Sequence, residues 1–406
     1  MLLSVGMIVK NEEMYLDKCL SALTPILKQI DSELIITDTG SSDDTVRIAK
    51  RYTDKIIHFD WINDFAAARN MSLKASNGKW FMFVDADEIL QSCNNIIDFF
   101  NTGEYQKYNS ASIVIRSLYA DGSSSDFNAS RLTQRTPDTA FHGIIHESLN
   151  TFGEPVKHLK DVALHYGYLN TNGENDKKFI RNSELLLKKY SALGDSDPQI
   201  YLQLYECFLL HDRNKAEEYL EKGITVCKQY QSPVLIALYC HKAHLLYFDE
   251  KYNDTLKVCQ EYFGMSKQIR SGLLTTDCEM HGYRASSLLH LSRDDEAVSA
   301  YISFFSLLSQ IKNGILRTKD SDMLVYYLSS DENISVALYE FLTACLNTED
   351  VLSAADMLME IQADYRSFRT DHIHAISNIL ARLIELCSDG FEKNILSEKY
   401  RELCAL

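Results

Sequence analysis

Two aspartates with the spacing of a metal-binding motif, Asp85 and Asp87, directly follow the apolar run 79–84. Carboxylates two residues apart at the end of a strand can share a divalent cation, either directly or through water. In isolation this string is weak evidence, because many such pairs lie in surface turns. Its position behind a predicted strand instead indicates a site for a metal ion and a phosphate group.

The elements that must position this pair alternate between strand and helix patterns. Apolar, β-branched runs predict strands, and the segments between them have the periodicity or composition of helices. The predicted strands of this part are 2–9, 33–38, 55–59 and 79–84. Such alternation is typical of a mostly parallel sheet with helices on both faces, and its ligands bind at the carboxyl ends of the strands. Polar clusters lie at these ends, at 10–12, 38–40 and 85–88.

The pattern changes after residue 100. Residues 110–119 are a clear predicted strand, and the segments 141–149 and 161–168 carry three histidines between them. From residue 177 onward the sequence predicts helices. A chain of 406 residues is also too long for one ordinary hydrophobic core. We therefore expect two domains, an α/β domain over 1–192 and an all-helical domain over 193–406.

The helical half has a weak internal repeat. Each helix–turn–helix pattern carries two residues that are twelve positions apart: Leu204 with Ala216, Ala243 with Thr255, and Ala285 with Ala297. Tetratricopeptide-like repeats place small residues at two such positions, where paired helices pack closely. The period is about 40 rather than 34 residues, so an irregular helical bundle remains the alternative to a repeat array.

Composition and missing motifs exclude several classes of function. The formal net charge of −16 argues against nucleic-acid or anionic-membrane binding, since both need clustered Lys and Arg. No run approaches the roughly 20 apolar residues of a membrane span, and the first residues lack the basic leader of a signal peptide. Neither a dinucleotide-binding fingerprint nor a P-loop occurs. Ten cysteines without a C-x-x-C pair fit core residues in a reducing compartment, so we expect a cytoplasmic protein.

Four strings in order along the chain resemble the family 2 glycosyltransferases, which have the GT-A fold. These strings are SVGMIVKNEE, DTGSSDDT, DFAAARNMSL and FVDADE. Three later strings, FHGIIHE, HYGY and RNSELLLKKY, resemble the branch of this family that bears repeats. The resemblance covers about residues 3–190. The architecture of the whole chain is similar to that of the glycocin peptide S-glycosyltransferases. It implies that the α/β domain is a GT-A nucleotide-sugar-binding domain followed by tetratricopeptide-like repeats.

The resemblance also implies roles for single residues. The backbone near Val9 and the turn at Asn11 and Glu12 would lie at the nucleoside. Asp38 would bond the uracil or the ribose, and Arg69 would reach the base or the diphosphate. Asp85, Asp87 and His165 would hold the metal. Asp85 would also contact the ribose.

Family 2 enzymes invert the anomeric centre and need a general base opposite the leaving group. His146 and Glu147 are adjacent, and on a strand neighbouring side chains point to opposite faces, so only one of them could face the sugar. We favour Glu147 and keep His146 as the second candidate. Another acid, or no base for a thiol acceptor, remains open. Arg131, His142 and His158 have no assigned role and are interpreted as structural polar residues.

The resulting expectation is an inverting hexosyl- or N-acetylhexosaminyltransferase that uses Mg²⁺ or Mn²⁺. UDP-glucose or UDP-GlcNAc would be the donor, and a Ser, Thr or Cys side chain of a peptide or protein would be the acceptor. A cell-wall, capsule or lipid-linked glycan is the alternative acceptor. A non-catalytic repeat scaffold with a vestigial GT-A domain is the alternative from another class. The helical domain could bind the acceptor or form a homodimer, because helical repeats build extended concave surfaces.

Overall fold

The computed structural model describes residues 1–120, 122, 124–167, 169, 174–265, 274–313, 331–361, 368–388 and 390–406. The chain divides into two compact units, Met1–Gly194 and Asp195–Leu406. The first unit is an α/β unit and the second is helical. The predicted order of an α/β half before a helical half is confirmed.

The first unit is built on one mixed sheet. Its strands are β1 (Leu3–Val9), β2 (Ser32–Asp38), β3 (Ile56–His58), β4 (Trp80–Phe83), β5 (Glu88–Leu90), β6 (Ser110–Leu118), β7 (Ser124–Gln134) and β10 (Val156–His165). They are arranged in the order β3-β2-β1-β4-β7-β6-β10-β5. A separate antiparallel pair consists of β8 (Phe141–His142) and β9 (Ser148–Leu149).

The first four strands of this order run parallel to one another. Each was predicted from its apolar run, and the bounds agree within about two residues, the usual uncertainty of helix and strand ends. The side chains of β1, β2 and β4 are mostly buried because helices cover the sheet, as expected of parallel strands, whereas the short strand β3 at the sheet edge is partly exposed. The carboxyl ends of β1, β2 and β4 therefore meet at one edge, which we call the carboxyl edge.

Sequence patterns missed β5 and β7. The first has only three residues, and the second is largely polar and half exposed. Both pair with stronger strands: β7 lies antiparallel between β4 and β6, and β5 lies antiparallel to β10. Pairing rather than local propensity thus determines these two strands.

Helices in the first unit connect the strands or follow the sheet. They are α1 (Leu16–Gln29), α2 (Thr45–Ala49), α3 (Phe65–Ala75), α4 (Asn94–Asn101) and α5 (Glu174–Leu193). The helix α3 begins at an N-cap, Asp64, whose carboxylate accepts a hydrogen bond from the Ala67 amide at 2.8 Å. This cap fixes where α3 starts, and with it the position of Arg69 one turn later.

The second unit consists of helices packed in sequential pairs. The described helices are α6 (Gln199–Phe208), α7 (Arg213–Tyr230), α8 (Val234–Phe248), α9 (Tyr252–Gly264), α10 (Leu274–His290), α11 (Asp294–Lys312), α12 (Asp331–Thr348), α13 (Val351–Glu360), α14 (Thr370–Leu386) and α15 (Phe391–Cys404). Every residue of the three predicted repeat pairs is 0% exposed. Except for Leu204, the side chains at these positions are small and let the paired helices approach closely, as the repeat pattern predicts.

Two further sequence expectations concern membranes and cysteines. Within the described part of the chain, no helix has the length and apolar character needed to cross a membrane. All ten cysteines are unpaired, and most of them are buried. They therefore serve as small apolar side chains in the cores.

Candidate functional site

The loops that follow β1 and β2 are joined to each other at the carboxyl edge. Asn11 has a φ of 56°, a conformation that asparagine tolerates well. Its side-chain oxygen accepts a hydrogen bond from the Ser42 amide at 2.8 Å, and its own amide donates to Ser41 Oγ at 3.0 Å. The Glu12 amide donates to Thr45 Oγ1 at 2.7 Å. These bonds bring the predicted nucleoside residues of both loops to one place.

Asp38 ends β2 and is buried at the base of these loops. One carboxylate oxygen accepts a hydrogen bond from the Ser41 amide at 3.1 Å, and the other lies 3.3 Å from His58 Nδ1. The carbonyl of Val9, at the end of β1, accepts hydrogen bonds from the amide and hydroxyl of Thr39 at 2.9 and 3.1 Å. Both predicted contact residues therefore also build the loop structure.

Arg69 on α3 connects two acidic side chains that are far apart in sequence. Its guanidinium donates to Asp85 Oδ1 at 2.6 Å through Nη2 and to Glu147 Oε1 through Nε. Only 7% of Arg69 is exposed, and Nη1 is buried without a hydrogen-bond partner among the described residues. Burial opposes the charge of this group, but Asp85 and Glu147 outweigh it and raise the pKa of Arg69. The site thus contains a fixed positive charge, and its Nη1 group can still donate a hydrogen bond to a ligand.

A second arginine, Arg131 on β7, lies on the other side of Asp85. Its guanidinium donates to Glu88 Oε1 and lies 3.6 Å from Asp85 Oδ2. Both arginines stack on the Phe83 ring, with Cζ 4.9 Å from the ring centroid for Arg69 and 4.6 Å for Arg131. Cation–π contacts of this kind hold guanidinium groups in place. Phe83 therefore orients both cations towards the acidic loop after β4.

The charges around Asp85 control its protonation. Burial raises the pKa of Asp85, but Arg69 and Arg131 outweigh burial and lower the pKa to about 2. Burial also raises the pKa of Glu88, and there the nearby Asp85 adds to the increase against the opposing effect of Arg131. One acid of the loop is thus held ionised while its neighbour is easier to protonate, as expected when carboxylates share a buried site.

The second aspartate of the motif, Asp87, faces a different partner. The antiparallel pairing of β5 with β10 sets Glu88 opposite His165, so the end of β10 reaches the acidic loop. His165 Nε2 lies 3.5 Å from Asp87 Oδ2, and the Tyr166 amide donates to the Asp87 carbonyl at 3.0 Å. Burial lowers the pKa of His165, but Asp87 outweighs it and raises the pKa above its ordinary value.

Gly167 leaves space beside this pair. A Cβ at this position would lie 2.5 Å from His165 Nε2 and 2.6 Å from Asp87 Oδ2, closer than side chains tolerate. Across the described ranges, no three His, Cys, Asp or Glu side chains converge as a metal site. Asp85 instead contacts the two arginines. The arrangement brings two of the three predicted metal ligands together and gives the third different partners.

The segment that carries the two base candidates is a loop, not a strand. Strand structure is limited to the short pair β8 and β9, and His146 lies between them with a φ of 51°. The premise that these neighbours alternate across a strand is therefore wrong. Glu147 points to Arg69, and only 11% of its side chain is exposed. The His146 side chain reaches solvent, but partial desolvation of its ring by the surrounding protein lowers its pKa below the ordinary value.

The loop between β8 and β9 is attached to α3. Asn70 donates to the Phe141 carbonyl at 2.9 Å and accepts from the Phe141 amide at 2.9 Å. The Phe65 amide donates to the Ile144 carbonyl at 2.9 Å. The neighbouring residues Arg69 and Asn70 thus hold Glu147 and the start of the loop, respectively. Sequence reasoning assigned no role to Asn70, although the A-A-R-N string contains it.

Residues 4–116 match the sequence model of the family described as Glycosyl transferase family 2. This part of the chain is a family 2 glycosyltransferase domain. The match includes Asp38, Arg69, Asp85 and Asp87. Glu147 and His165 lie beyond it, so their assignment depends on the geometry described above.

Curated relatives of this chain include one protein named for its repeats and one named as a glycosyltransferase. A TPR repeat-containing protein of Synechococcus elongatus is 33% identical over 177 residues, which are 41% of this chain and 42% of that protein. The SPbeta prophage-derived glycosyltransferase SunS of Bacillus subtilis is 26% identical over 249 residues, 56% of this chain and 54% of SunS. The chain therefore spans about half the length of these relatives. Among solved structures, S. aureus TarS aligns with a TM-score of 0.36 at 16% identity, over 58% of this chain and 50% of TarS.

The glycosyltransferase domain thus contains charged residues that sequence reasoning missed. Arg131 and Glu88 pair beside Asp85, and neither has a predicted role in the site. Glu88 directly follows the D-A-D string, and the sequence could have indicated that a basic residue lies nearby, because a third carboxylate beside two others needs a cation. No local pattern identifies Arg131, which lies on a polar strand that was itself not predicted.

Proposed function

We propose that the protein is an inverting glycosyltransferase that moves a sugar from a UDP-sugar to a side chain of a peptide or protein. The observation that carries this proposal is the double ion pair of Arg69. It links Asp85, an acid of the donor motif, with Glu147, the favoured base, in one buried cluster at the carboxyl edge. Donor binding and proton abstraction are thereby supported by one connected set of charges.

The donor would bind along the joined loops of the carboxyl edge. We assign the nucleoside to Val9, Asn11, Glu12 and Asp38, where two strand ends and their loops meet. Nη1 of Arg69 is buried and has no hydrogen-bond partner among the described residues, so it is suited to a diphosphate oxygen, because an unsatisfied buried donor gains from a charged acceptor. Asp85 would contact the ribose while its arginine partners keep it ionised.

A divalent metal fits beside Asp87 and His165. These side chains supply one carboxylate oxygen and one imidazole nitrogen, and Gly167 leaves room next to both. Carboxylate oxygen suits Mg²⁺ and Mn²⁺, whereas imidazole is more usual for transition metals, so this donor set favours Mn²⁺. Asp85 is the third predicted ligand. The chemistry that the metal would supply is neutralisation of the charge that develops on the diphosphate leaving group.

Glu147 is our choice for the general base. Its pairing with Arg69 fixes the carboxylate in one position, and an ionised carboxylate can accept the acceptor proton. His146 remains the second candidate because it is exposed next to Glu147 and its lowered pKa favours the neutral, proton-accepting form. The acceptor hydroxyl or thiol would attack the anomeric carbon from the side opposite the leaving diphosphate.

The acceptor is proposed to be a peptide or protein because of the resemblance to glycocin S-glycosyltransferases and the helix pairs of the second unit. Stacked helix pairs form extended surfaces suited to macromolecules. We assign the catalytic role to residues 1–192, and to residues 193–406 either a dimerising role or the binding of acceptor segments away from the modified side chain. A cytoplasmic location is supported by ten unpaired cysteines, since disulfides are rare where thiols stay reduced.

Nucleotide-sugar turnover tests this proposal directly. UDP release from UDP-glucose and UDP-GlcNAc would be measured with Mn²⁺, with Mg²⁺ and with excess chelator. We expect metal-dependent release from at least one donor and its loss in Asp85→Asn. The matched control is Asp126→Asn, which removes an exposed acid paired with Arg116 on the same sheet. Absence of release from every UDP-sugar would instead support the vestigial scaffold, and transfer to a lipid-linked glycan but to no peptide would overturn the acceptor.

A further inference from the structure

A cleft of about 700 Å³ opens beside the loop between β8 and β9, on the opposite face of α3 from Arg69. Its walls are the outer face of α3, the segment that begins the loop between β8 and β9, and the last turns of α5. All of these belong to the first unit. No role in donor binding or proton transfer has been given to this cleft.

The floor of the cleft is apolar. On α3, Ala67 and Met71 line it with helical spacing, because residues four apart share a face. Further apolar side chains come from Phe141 at the start of β8, from Ile144 in the loop that follows, and from Ala192 on α5. A surface of this kind favours ligands that carry apolar side chains.

The rim of the cleft is basic although the protein as a whole is strongly acidic. Lys74, Lys188 and Lys189 line it, whereas the chain has a formal net charge of −16. Within the residues that the structure describes, Lys74 and Lys188 form no ion pair with a carboxylate. The lining acid Asp64 is already used as the N-cap of α3. Local positive charge of this kind attracts carboxylates from solution.

The cleft is connected to the candidate base through the loop itself. Asn70 lines the cleft and holds Phe141 through two hydrogen bonds of 2.9 Å. The same loop carries His146 and Glu147 a few residues later. Burial lowers the pKa of His146 and the charge of Lys189 adds to this effect, so Lys189 lies within electrostatic range of His146. Because Gly143 and Ile144 of this loop also line the cleft, the loop connects a chain bound there with His146.

We propose that this cleft binds the acceptor as an extended peptide segment, with an apolar side chain on the floor and an Asp or Glu side chain at the lysine rim. The inference rests on the proposed function and specifies its acceptor. An anionic phosphate polymer would satisfy the lysines but leave the apolar floor without a partner. The combination of both surfaces therefore favours an acidic, partly apolar peptide.

Binding of defined peptides to the full chain tests the proposal. Fluorescence anisotropy would be measured with UDP and Mn²⁺ present. The first probe is a short peptide with one serine, flanked by leucine and glutamate. A second peptide has glutamine in place of glutamate, a third has glycine in place of leucine, and inorganic polyphosphate serves as a competitor. We expect the first peptide to bind about tenfold or more tightly than the second, the value of one charge-assisted contact.

Variants of the cleft provide the second arm. Lys74→Glu with Lys188→Glu should weaken binding of the first peptide about tenfold or more, since two attractive charges become repulsive. The matched control is Lys28→Glu with Lys79→Glu. These exposed lysines make the same change in net charge but are not among the residues that line the cleft. Ala192→Trp, an exposed position on the cleft wall, should block binding without any change in charge.

Several results would overturn the cleft assignment. They are equal affinity for the glutamate and glutamine peptides, equal weakening by the control pair, undiminished binding in Ala192→Trp, and competition by polyphosphate as effective as by the peptide. UDP affinity, measured on the same wild-type sample, separates the two proposals. If UDP binds and the peptides do not, the cleft is wrong and the glycosyltransferase proposal stands. If UDP does not bind, the proposed function itself has failed.

Discussion

The two edges of the parallel strands both bury charge, but they satisfy it differently. At the amino edge, Glu33 accepts hydrogen bonds from Ser4 Oγ and from the Asn77 amide, each at 2.6 Å, and pairs with Lys55. Burial raises the pKa of Glu33, but these partners outweigh it and lower the pKa to about 2. This cluster is closed, because its carboxylate is fully used by the fold.

The carboxyl edge is left open. Arg69 pairs with two acids and still has a buried Nη1 without a partner among the described residues, and the same holds for Nε of Arg131. Unsatisfied buried donors cost free energy, so the fold gains nothing from them. Nε of Arg135, which donates through Nη1 to the Ser76 and Gly78 carbonyls near the amino edge, is also buried without a partner among the described residues, so a spare donor alone does not identify a ligand site. The comparison teaches that the Glu33 carboxylate is satisfied within the fold, whereas the carboxyl edge places two such arginines around one acidic loop, as expected of a site arranged for a ligand. Substitutions at the two edges should therefore affect different measurements.

The largest expected effect is that of Asp87→Asn on catalysis. We expect sugar transfer to fall about a thousandfold or more, because metal-assisted charge neutralisation contributes several kcal/mol to the transition state. The thermal midpoint should change little, since the partner His165 is only half-buried. Initial rates and a thermal melt would measure the two quantities. Near-normal transfer by Asp87→Asn at saturating Mn²⁺ would contradict the metal role, and Asp126→Asn is the control.

Removal of Arg69 should affect both quantities. In Arg69→Ala, two carboxylates lose their cation, which costs about 3–5 kcal/mol when one member of a buried pair is deleted. The pKa of Asp85 is lowered in the folded state, so its pairing stabilises the protein above about pH 4 and this contribution is lost as the pH falls towards 2. Urea unfolding at pH 7 and at acid pH would show this dependence in the wild type and its loss in the variant. An unchanged free energy of unfolding would refute the pairing.

A smaller, purely kinetic effect is expected for Glu147→Gln. Loss of a general base costs about a hundredfold or more in rate, while the amide can still accept a hydrogen bond from Arg69. UDP affinity measured by calorimetry should therefore stay near that of the wild type. If His146→Ala lowers the rate far more than Glu147→Gln does, the roles of the two residues must be exchanged.

The smallest effect tests the closed edge. Glu33→Gln should lower the free energy of unfolding by about 1–3 kcal/mol, the cost of weakened charge-assisted hydrogen bonds. Initial rates at temperatures well below the midpoint should be unaffected, because the cluster lies across the sheet from the site. A loss of transfer without a loss of stability would remove the distinction between the two edges.

Much of the fold could be predicted because its elements are locally encoded. Apolar runs gave β1 to β4 and β6, and helical periodicity gave the pairs in the second unit. The strands β5 and β7 could not be found, since three residues carry no period and a polar strand has no apolar face. The segment 141–149 was wrongly treated as a strand. Gly143 and His146 both have positive φ there, in a loop that hydrogen bonds attach to α3.

The candidate site shows the same division. Its acids at strand ends follow from the sequence, because the strands are parallel and each acid follows an apolar run. Whether two acids share a partner depends on strands that approach from far along the chain. Asp85 and Asp87 are equivalent in the sequence pattern, yet β7 supplies Arg131 to the first and β10 supplies His165 to the second.

The sequence by itself determined the family of the domain that includes residues 4–116, the order of the two units and the edge at which charged residues gather, because these depend on periodicity and on motifs of neighbouring residues. Only the tertiary structure decided which charges pair, that Arg69 joins Asp85 to Glu147, and that lysines from α3 and α5 line one cleft. Arg69 and Glu147, for example, are 78 positions apart in the sequence. Ion pairing and burial act through space, so no local pattern along the chain can specify them.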